Sequence, residues 1–369
     1  MSALCSLRIS FSVGLKGVRS YAPASVRARG LATIANEGQA FSIPVINFSK
    51  FRNAATPTEK RRTADEIVTA FKRSGFIYLD GHGIDSETIK GAFAKSAEFF
   101  EMPTEVKSTL AWEDPRSNRG YVAVGRERVT QSADAEEIAQ LRAKAPDFKE
   151  SMEIGRDWDS TWKNQWPQER DAPGFKRTML DFYQSCHELH VLVMRSIAIG
   201  FDLEENFFDQ KIDEQCHNLR LLNYPPVKRA QLQKDGQARA GAHSDYGSLT
   251  LLFQDSVGGL EVQNPHTQVF HPATPIPGTI VVNVGDLLAR WSNDILRSTL
   301  HRVVAPPLKK ISETESITPG RQSIAFFCNP NFSAEIACLP NCHGADRAVK
   351  YPPVNTGEYI VGRLAVTYN

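Results

Sequence analysis

The chain has 369 residues, 41% of them apolar and 23% charged, with a net charge of +1. That length can bury a generous core, and so even a charge balance excludes attachment to nucleic acid or an anionic membrane through bulk charge alone. The longest apolar stretch, His190 to Phe201, is broken by Arg195, which argues against a membrane-spanning helix.

Residues 1–36 differ from everything that follows. They carry Arg8, Lys16, Arg19, Arg27 and Arg29, and the first acidic residue is Glu37. Leu4, Leu7, Phe11, Leu15 and Val18 recur at helical spacing beside those bases, the composition of a mitochondrial transit peptide. The competing reading is a basic tail with no address on a cytoplasmic protein. Six cysteines (Cys5, Cys186, Cys216, Cys328, Cys338, Cys342) lie without paired spacing, which reads as reduced intracellular thiols rather than a disulfide framework or a zinc site.

The ordered protein should begin near "SIPVINF" (42–48), an alternating strand pattern. Thr56, Pro57 and Glu59 then form a capping box for a helix that buries Ile67, Val68 and Phe71. "SGFIYLDGHGI" (74–84) reads as a second strand, and a second helix runs from Asp85 to Phe100, stopped by Pro103. Residues 113–170 are polar, with a helix expected only at 133–143; such a segment lies over something as a lid or makes a long surface excursion. From Pro173 to Gly200 a long helix is expected, with His187 and His190 as packing or surface residues.

After about residue 215 the pattern turns to short strands at 219–224, 248–253, 259–263, 279–284, 298–305 and 321–327. "DSVGGLEVQ" (255–263) looks like a hairpin connection. The fold class expected is therefore mostly β with flanking helices: a jelly-roll core, or double-stranded β-helix, over 213–369, preceded by a helix-rich region over 37–212.

Three groups in the β region carry chemistry. His243 and Asp245, in "GAHSDYG", converge if the segment is extended, either on a metal or as a buried hydrogen-bonded pair. His301 follows several strands later; alone it would be an ordinary strand histidine. Two imidazoles and one carboxylate form the facial set that holds non-haem Fe(II) with three positions open. In "RQSIAFF", Arg321, Ser323, Ala325 and Phe327 share one strand face. An inward arginine beside a serine makes a clamp for a carboxylate, with Tyr224 as a further donor.

With these residues in place, the chain resembles the isopenicillin-N-synthase-like family of iron- and 2-oxoglutarate-dependent oxygenases, from "IPVINF" to "RQSIAFFCNPN". The resemblance implies that His243, Asp245 and His301 bind Fe(II), and that Arg321 and Ser323 hold the distal carboxylate of 2-oxoglutarate with help from Tyr224. It implies O2 as cosubstrate, succinate and CO2 as coproducts, and ascorbate as a reductant that maintains activity. Many plant members have Asn two residues before the tyrosine; here Leu222 stands there, which leaves the tyrosine-side contacts open. "NRGYVAVGRERVTQ", "DFKESMEIGRD" and "HSDYGSLTLLFQDSVGGL" are similar to the fungal thymine 7-hydroxylases within that family. This implies a small planar heterocycle as substrate, gripped by Tyr246 and Phe327 with Arg220 donating to a ring carbonyl. Core packing is the alternative for both aromatic residues. Rival readings are an oxidase of this fold that needs no 2-oxoglutarate, a dioxygenase acting on another flat metabolite, and a jelly-roll binding module without chemistry.

The N-terminal reading is checked in cells. A fluorescent fusion of the full chain is expected in mitochondria, and one lacking residues 1–36 in the cytosol. Identical distributions would make the segment a tail without an address.

Overall fold

The helix starts read from the sequence are the ones that form. A computed structural model describes residues 41–368 apart from 113, 115, 129, 131, 133, 233–236 and 307–316, so the expected targeting segment lies outside the described residues. After strand β1 (Val45–Asn47), the Thr56 hydroxyl accepts from the Glu59 amide at 3.2 Å and the Glu59 carboxylate accepts from the Ala55 amide at 2.9 Å. Pro57 then opens helix α1 (Pro57–Arg73), where its missing N–H costs nothing. Strand β2 (Phe76–Asp80) follows, and the Asp85 carboxylate caps helix α2 (Ser86–Glu101) by accepting from the Glu87 and Thr88 amides.

The polar stretch that follows is not the excursion its composition suggests. It contains β3 (Gly120–Val122), α3 (Ala135–Lys144) and β4 (Glu150–Gly155), and every residue of β4 is buried. Asp147, Lys149, Ser151 and Glu153 alternate with Phe148, Glu150, Met152 and Ile154. That period of two is a strand signal, obscured because the polar face turns inward rather than to water. Helix α4 (Phe175–Gly200) matches its predicted span.

Apart from four strands of two residues each, those that follow are β5 (Asn218–Tyr224), β6 (Ala240–His243), β7 (Leu249–Gln254), β8 (Leu260–Gln263), β9 (Phe270–Pro272), β10 (Ile280–Val284), β11 (His301–Val303) and β12 (Arg321–Cys328). They lie in two sheets, one ordered β1-β2-β10-β7-β12-β5-β4-β3 and the other β9-β8-β11-β6. Residues 255–259 therefore carry the chain from one sheet to the other. The hairpin expected at 255–263 does not form there: β8 pairs with β9 and β11, not with β7. Besides a single turn at Arg229–Leu232, two helices interrupt what looked like an all-β region, α5 (Asp286–Trp291) and α6 (Thr356–Tyr368).

The large sheet is buried on both faces. Leu251, Val282, Ile324 and Phe326 join residues of α1, α2 and α4 such as Phe71, Phe99 and Phe182 in the larger core. On the other face Phe76, Leu222, Val281 and Ala325 meet Leu260, Val262 and Val303 of the small sheet. Burial on both sides explains why "IVVNV" at β10 is apolar on both faces except for Asn283, which points to Asp245. The jelly roll is thus the expected one, and the chain from Phe41 onward is one compact unit to which strands before residue 212 contribute.

His187 and His190 on α4 are core residues, grouped with His217 just before β5. The Asn329 amide donates to His217 Nδ1 at 3.0 Å, so a neutral His217 carries its proton on Nε2 and donates it to His187 Nδ1, also at 3.0 Å. With both nitrogens committed, His217 has no lone pair for a metal, and the trio is packing. Burial holds His190 down to about 3 and His217 well below its ordinary value. Their stabilising contribution is therefore complete above the unfolded value of 6.5 and is lost as pH falls below it. Each such histidine should cost about 1.4 kcal/mol per pH unit in that window. Urea unfolding at falling pH should show this slope, and His190→Gln should flatten it. Equal slopes would mean that His190 titrates in the folded protein.

Candidate active site

Strand pairing brings the three ligand-type residues together. His301 opens β11 directly opposite His243, the last residue of β6, and Asp245 lies two residues beyond it. Asp245 Oδ1 is 3.8 Å from His243 Nε2 and 3.7 Å from His301 Nε2. Each imidazole is turned by a backbone carbonyl at its other nitrogen: Gly241 accepts from His243 Nδ1 at 2.8 Å and Thr299 from His301 Nδ1 at 3.2 Å. Both Nε2 lone pairs are thereby left facing the carboxylate. Asp245 Oδ2 accepts from Thr250 Oγ1 at 2.6 Å and Asn283 Nδ2 at 2.8 Å.

The backbone here is tightly packed. The Asp286 amide donates to the Asp245 carbonyl at 2.7 Å. A Cβ on the neighbouring Gly285 would lie 2.3 Å from the Gly247 carbonyl oxygen. Only glycine lets the α5 turn approach the Asp245 loop so closely.

Charge at the site suits a cation. Burial, with His301 alongside, pushes His243 down to about 3, so it is neutral. Burial acts to raise Asp245, but the two imidazoles and the hydrogen bonds from Asn283 and Thr250 outweigh it and hold the carboxyl below its usual range. A neutral His243 and an ionised Asp245, with donor atoms that converge with that of His301, suit a divalent metal.

On one side of these residues is a cavity that reaches Arg321, Ser323 and Tyr224. Arg321 is only 2% exposed and donates to Ser323 Oγ at 3.1 Å and Gln254 Oε1 at 3.5 Å, with its guanidinium 4.8 Å from the Tyr224 ring centre. It lies opposite Tyr224 in the ladder, as Ser323 lies opposite Leu222. Among the described residues no carboxylate pairs with Arg321, and its Nε has no partner. A buried guanidinium left so requires an anion.

On the other side is a cavity lined by Tyr246, Phe327 and Arg220, together with Asn118, Asn218 and Leu364. The expected aromatic pair is thus brought to one space. Arg220 is not an isolated donor: its Nη1 pairs with Glu127 at 3.3 Å and its Nε with Glu153 at 2.6 Å, and it lies over Phe327 at 5.4 Å. Lys149 completes the network with Glu127 at 3.0 Å and Asp147 at 2.8 Å. Burial alone would lower Lys149, yet Asp147 and Glu127 hold it above its ordinary value. Sequence reasoning misses Glu127, Asp147, Lys149 and Glu153, and the alternation at 147–154 is the signal that could find the last three. Asn118, Asn218 and the roof residues Ile360 and Leu364 of α6 carry none.

Residues 43–169 match the family described as non-haem dioxygenase in morphine synthesis N-terminal, and residues 215–330 match the 2OG-Fe(II) oxygenase superfamily. A full-length Neurospora crassa protein, solved in complex with alpha-KG and thymine, is 49% identical, with a TM-score of 0.80 over 88% of this chain and 97% of that one. A putative 2OG-Fe(II) oxygenase family protein of Caulobacter crescentus is 30% identical, with a TM-score of 0.72 over 88% and 98%. The 2-oxoglutarate-Fe(II) type oxidoreductase ppzD of Metarhizium majus is 35% identical over 88% of this chain and 95% of its own. The chain belongs to the 2-oxoglutarate- and Fe(II)-dependent oxygenases and is an enzyme of that dioxygenase class.

Proposed function

We propose that this dioxygenase hydroxylates a small planar heterocycle of the thymine type, with Fe(II) held by His243, Asp245 and His301. The observation that carries the reading is one cavity in which Tyr246 and Phe327 lie next to the ligand residues, in a chain similar to a Neurospora protein solved with thymine. Bound between the three ligands, Fe(II) supplies the redox chemistry that couples decarboxylation of 2-oxoglutarate with O2 to insertion of oxygen into a substrate C–H bond.

The protein's own residues bind and aim. Arg321 and Ser323 fix the distal carboxylate of 2-oxoglutarate, and Tyr224 flanks the clamp, so the other end of the cosubstrate reaches the ligand side of the cavity. Tyr246 and Phe327 offer faces to a flat ring. Ile360 and Leu364 close the substrate side with apolar surface and keep water out. A second reading rests on the relatives: a chain 36% identical is named proline hydroxylase buaE of Petromyces alliaceus, so a proline-type ring is the competing substrate. The unpaired Arg321 argues against an oxidase that needs no 2-oxoglutarate.

The test is succinate formation with Fe(II), 2-oxoglutarate and O2 across thymine, uracil and flat secondary metabolites. Thymine-dependent succinate is expected, and His243→Ala or Asp245→Ala should abolish it without changing the circular dichroism spectrum. Succinate formation driven only by a non-pyrimidine would overturn the substrate, and full activity in either variant would overturn the ligand assignment.

Arg321→Lys keeps the charge but loses the two-pronged geometry. A charge-assisted hydrogen bond contributes about 1.5–3 kcal/mol, so half-saturation by 2-oxoglutarate should rise roughly ten- to a hundredfold. Iron content should not change. An unchanged half-saturation point would remove Arg321 from the clamp.

A further inference from the structure

The substrate-side cavity contains two buried amide oxygens with nothing to accept. Asn218 is 4% exposed, and its Nδ2 donates to the Asn118 carbonyl oxygen at 2.9 Å. That bond fixes the amide orientation, because a carbonyl oxygen accepts only from the NH2 end. Asn218 Oδ1 is consequently the free end, and it has no hydrogen-bond partner among the described residues. Asn118 Oδ1 likewise has no hydrogen-bond partner among the described residues. Asn118 is itself held in left-handed backbone, with φ +50°. Its carbonyl also accepts from Arg119 Nη1 at 2.9 Å, so the pair is braced from behind.

Both residues line the same cavity as Tyr246 and Phe327. Asn218 lies directly opposite Phe327 in the β5–β12 ladder, and Arg220 is two residues along on the same strand. One strand face therefore offers an acceptor beside the aromatic ring, followed by a guanidinium. Leaving buried acceptors unpaired is costly, and most such groups in folded proteins have a partner. A ligand that supplies N–H donors in the plane of a stacked ring would satisfy them.

We propose that Asn218 and Asn118 are substrate-recognition residues that accept from ring N–H groups, so the substrate is a cyclic lactam or imide with at least one unsubstituted ring nitrogen. This rests on the substrate-side placement proposed above, and it is narrower than flatness. A planar metabolite without an N–H would fill the cavity yet leave both oxygens unpaired. The two asparagines thereby select against flat ring systems that carry only oxygen.

The test is calorimetric binding to the anaerobic enzyme loaded with Fe(II) and 2-oxoglutarate. The probes are thymine, 1-methylthymine, 3-methylthymine, and hydantoin with its N-methyl forms. At least one N-methyl form should bind roughly tenfold or more weakly than its parent. Asn218→Leu keeps the branched shape and has no acceptor. It should weaken the parent and bring the parent-to-methyl ratio close to one, with 2-oxoglutarate half-saturation unchanged. Equal binding of parent and all methylated forms by the wild type would overturn the proposal and leave a thymine substrate standing. An unchanged ratio in a folded Asn218→Leu would also overturn it, as would failure of every N–H probe to bind. If hydantoin binds with this discrimination and thymine does not, N–H recognition stands and the thymine reading falls. The wild-type comparison of parent and methylated probes decides the matter even if the variant does not fold.

Discussion

The register between β6 and β11 is the constraint on which the site depends. Opposing His243 to His301 on neighbouring strands brings their rings to 4.3 Å between centres. Neither strand is long, at four and three residues. A slip of one residue would turn His301 to the other face and separate the donor atoms. The neighbours hold that register: β8 pairs β11 along its outer edge, and the Gly259 carbonyl accepts from the Val304 amide. Behind Asp245, the α5 turn closes on the backbone, so the third donor is fixed by the same local packing.

Around that frame the interior of the jelly roll is polar, which an apolar core would not tolerate without compensation. Asp147, Lys149, Glu127, Arg220 and Glu153 form a chain of ion pairs inside the barrel. Breaking one partner would strand a buried charge, so the members support one another. The network also forms the wall between the two cavities, with Lys149 lining the cosubstrate side, Glu127 the substrate side and Arg220 both. Arg321 differs from these groups because it bonds only neutral side chains, Ser323 and Gln254, and its Nε has no partner among the described residues.

The outer face of the large sheet has the opposite character. Helices α1, α2 and α4 cover it with phenylalanines and aliphatic residues, and the three histidines within that layer stay neutral. A rigid sheet packed on both faces holds strand ends to within the tolerance that metal and carboxylate ligands need. The cavity beside Tyr246 and Phe327 draws instead on the periphery: Asn118, Glu127, the start of β5 and the C-terminal helix α6.

By itself the sequence determined the elements with strong local signals: the Thr56 capping box, the Asp85 cap, the 26-residue helix and the jelly-roll strands. It also singled out His243 and Asp245 by their spacing in the glycine-flanked "GAHSDYG", and His301, Arg321 and Ser323 as polar residues in otherwise apolar strands. Tertiary structure decided the rest. Whether the alternating face of 147–154 meets water or a cavity depends on which strands flank β4, and local pattern holds no record of that. The same holds for residues 255–259, where glycines fit a hairpin or a crossing between sheets equally well. Asn118, Asn218 and Ile360 are distant in sequence and ordinary in composition; they acquire a role only because the fold delivers them to one cavity.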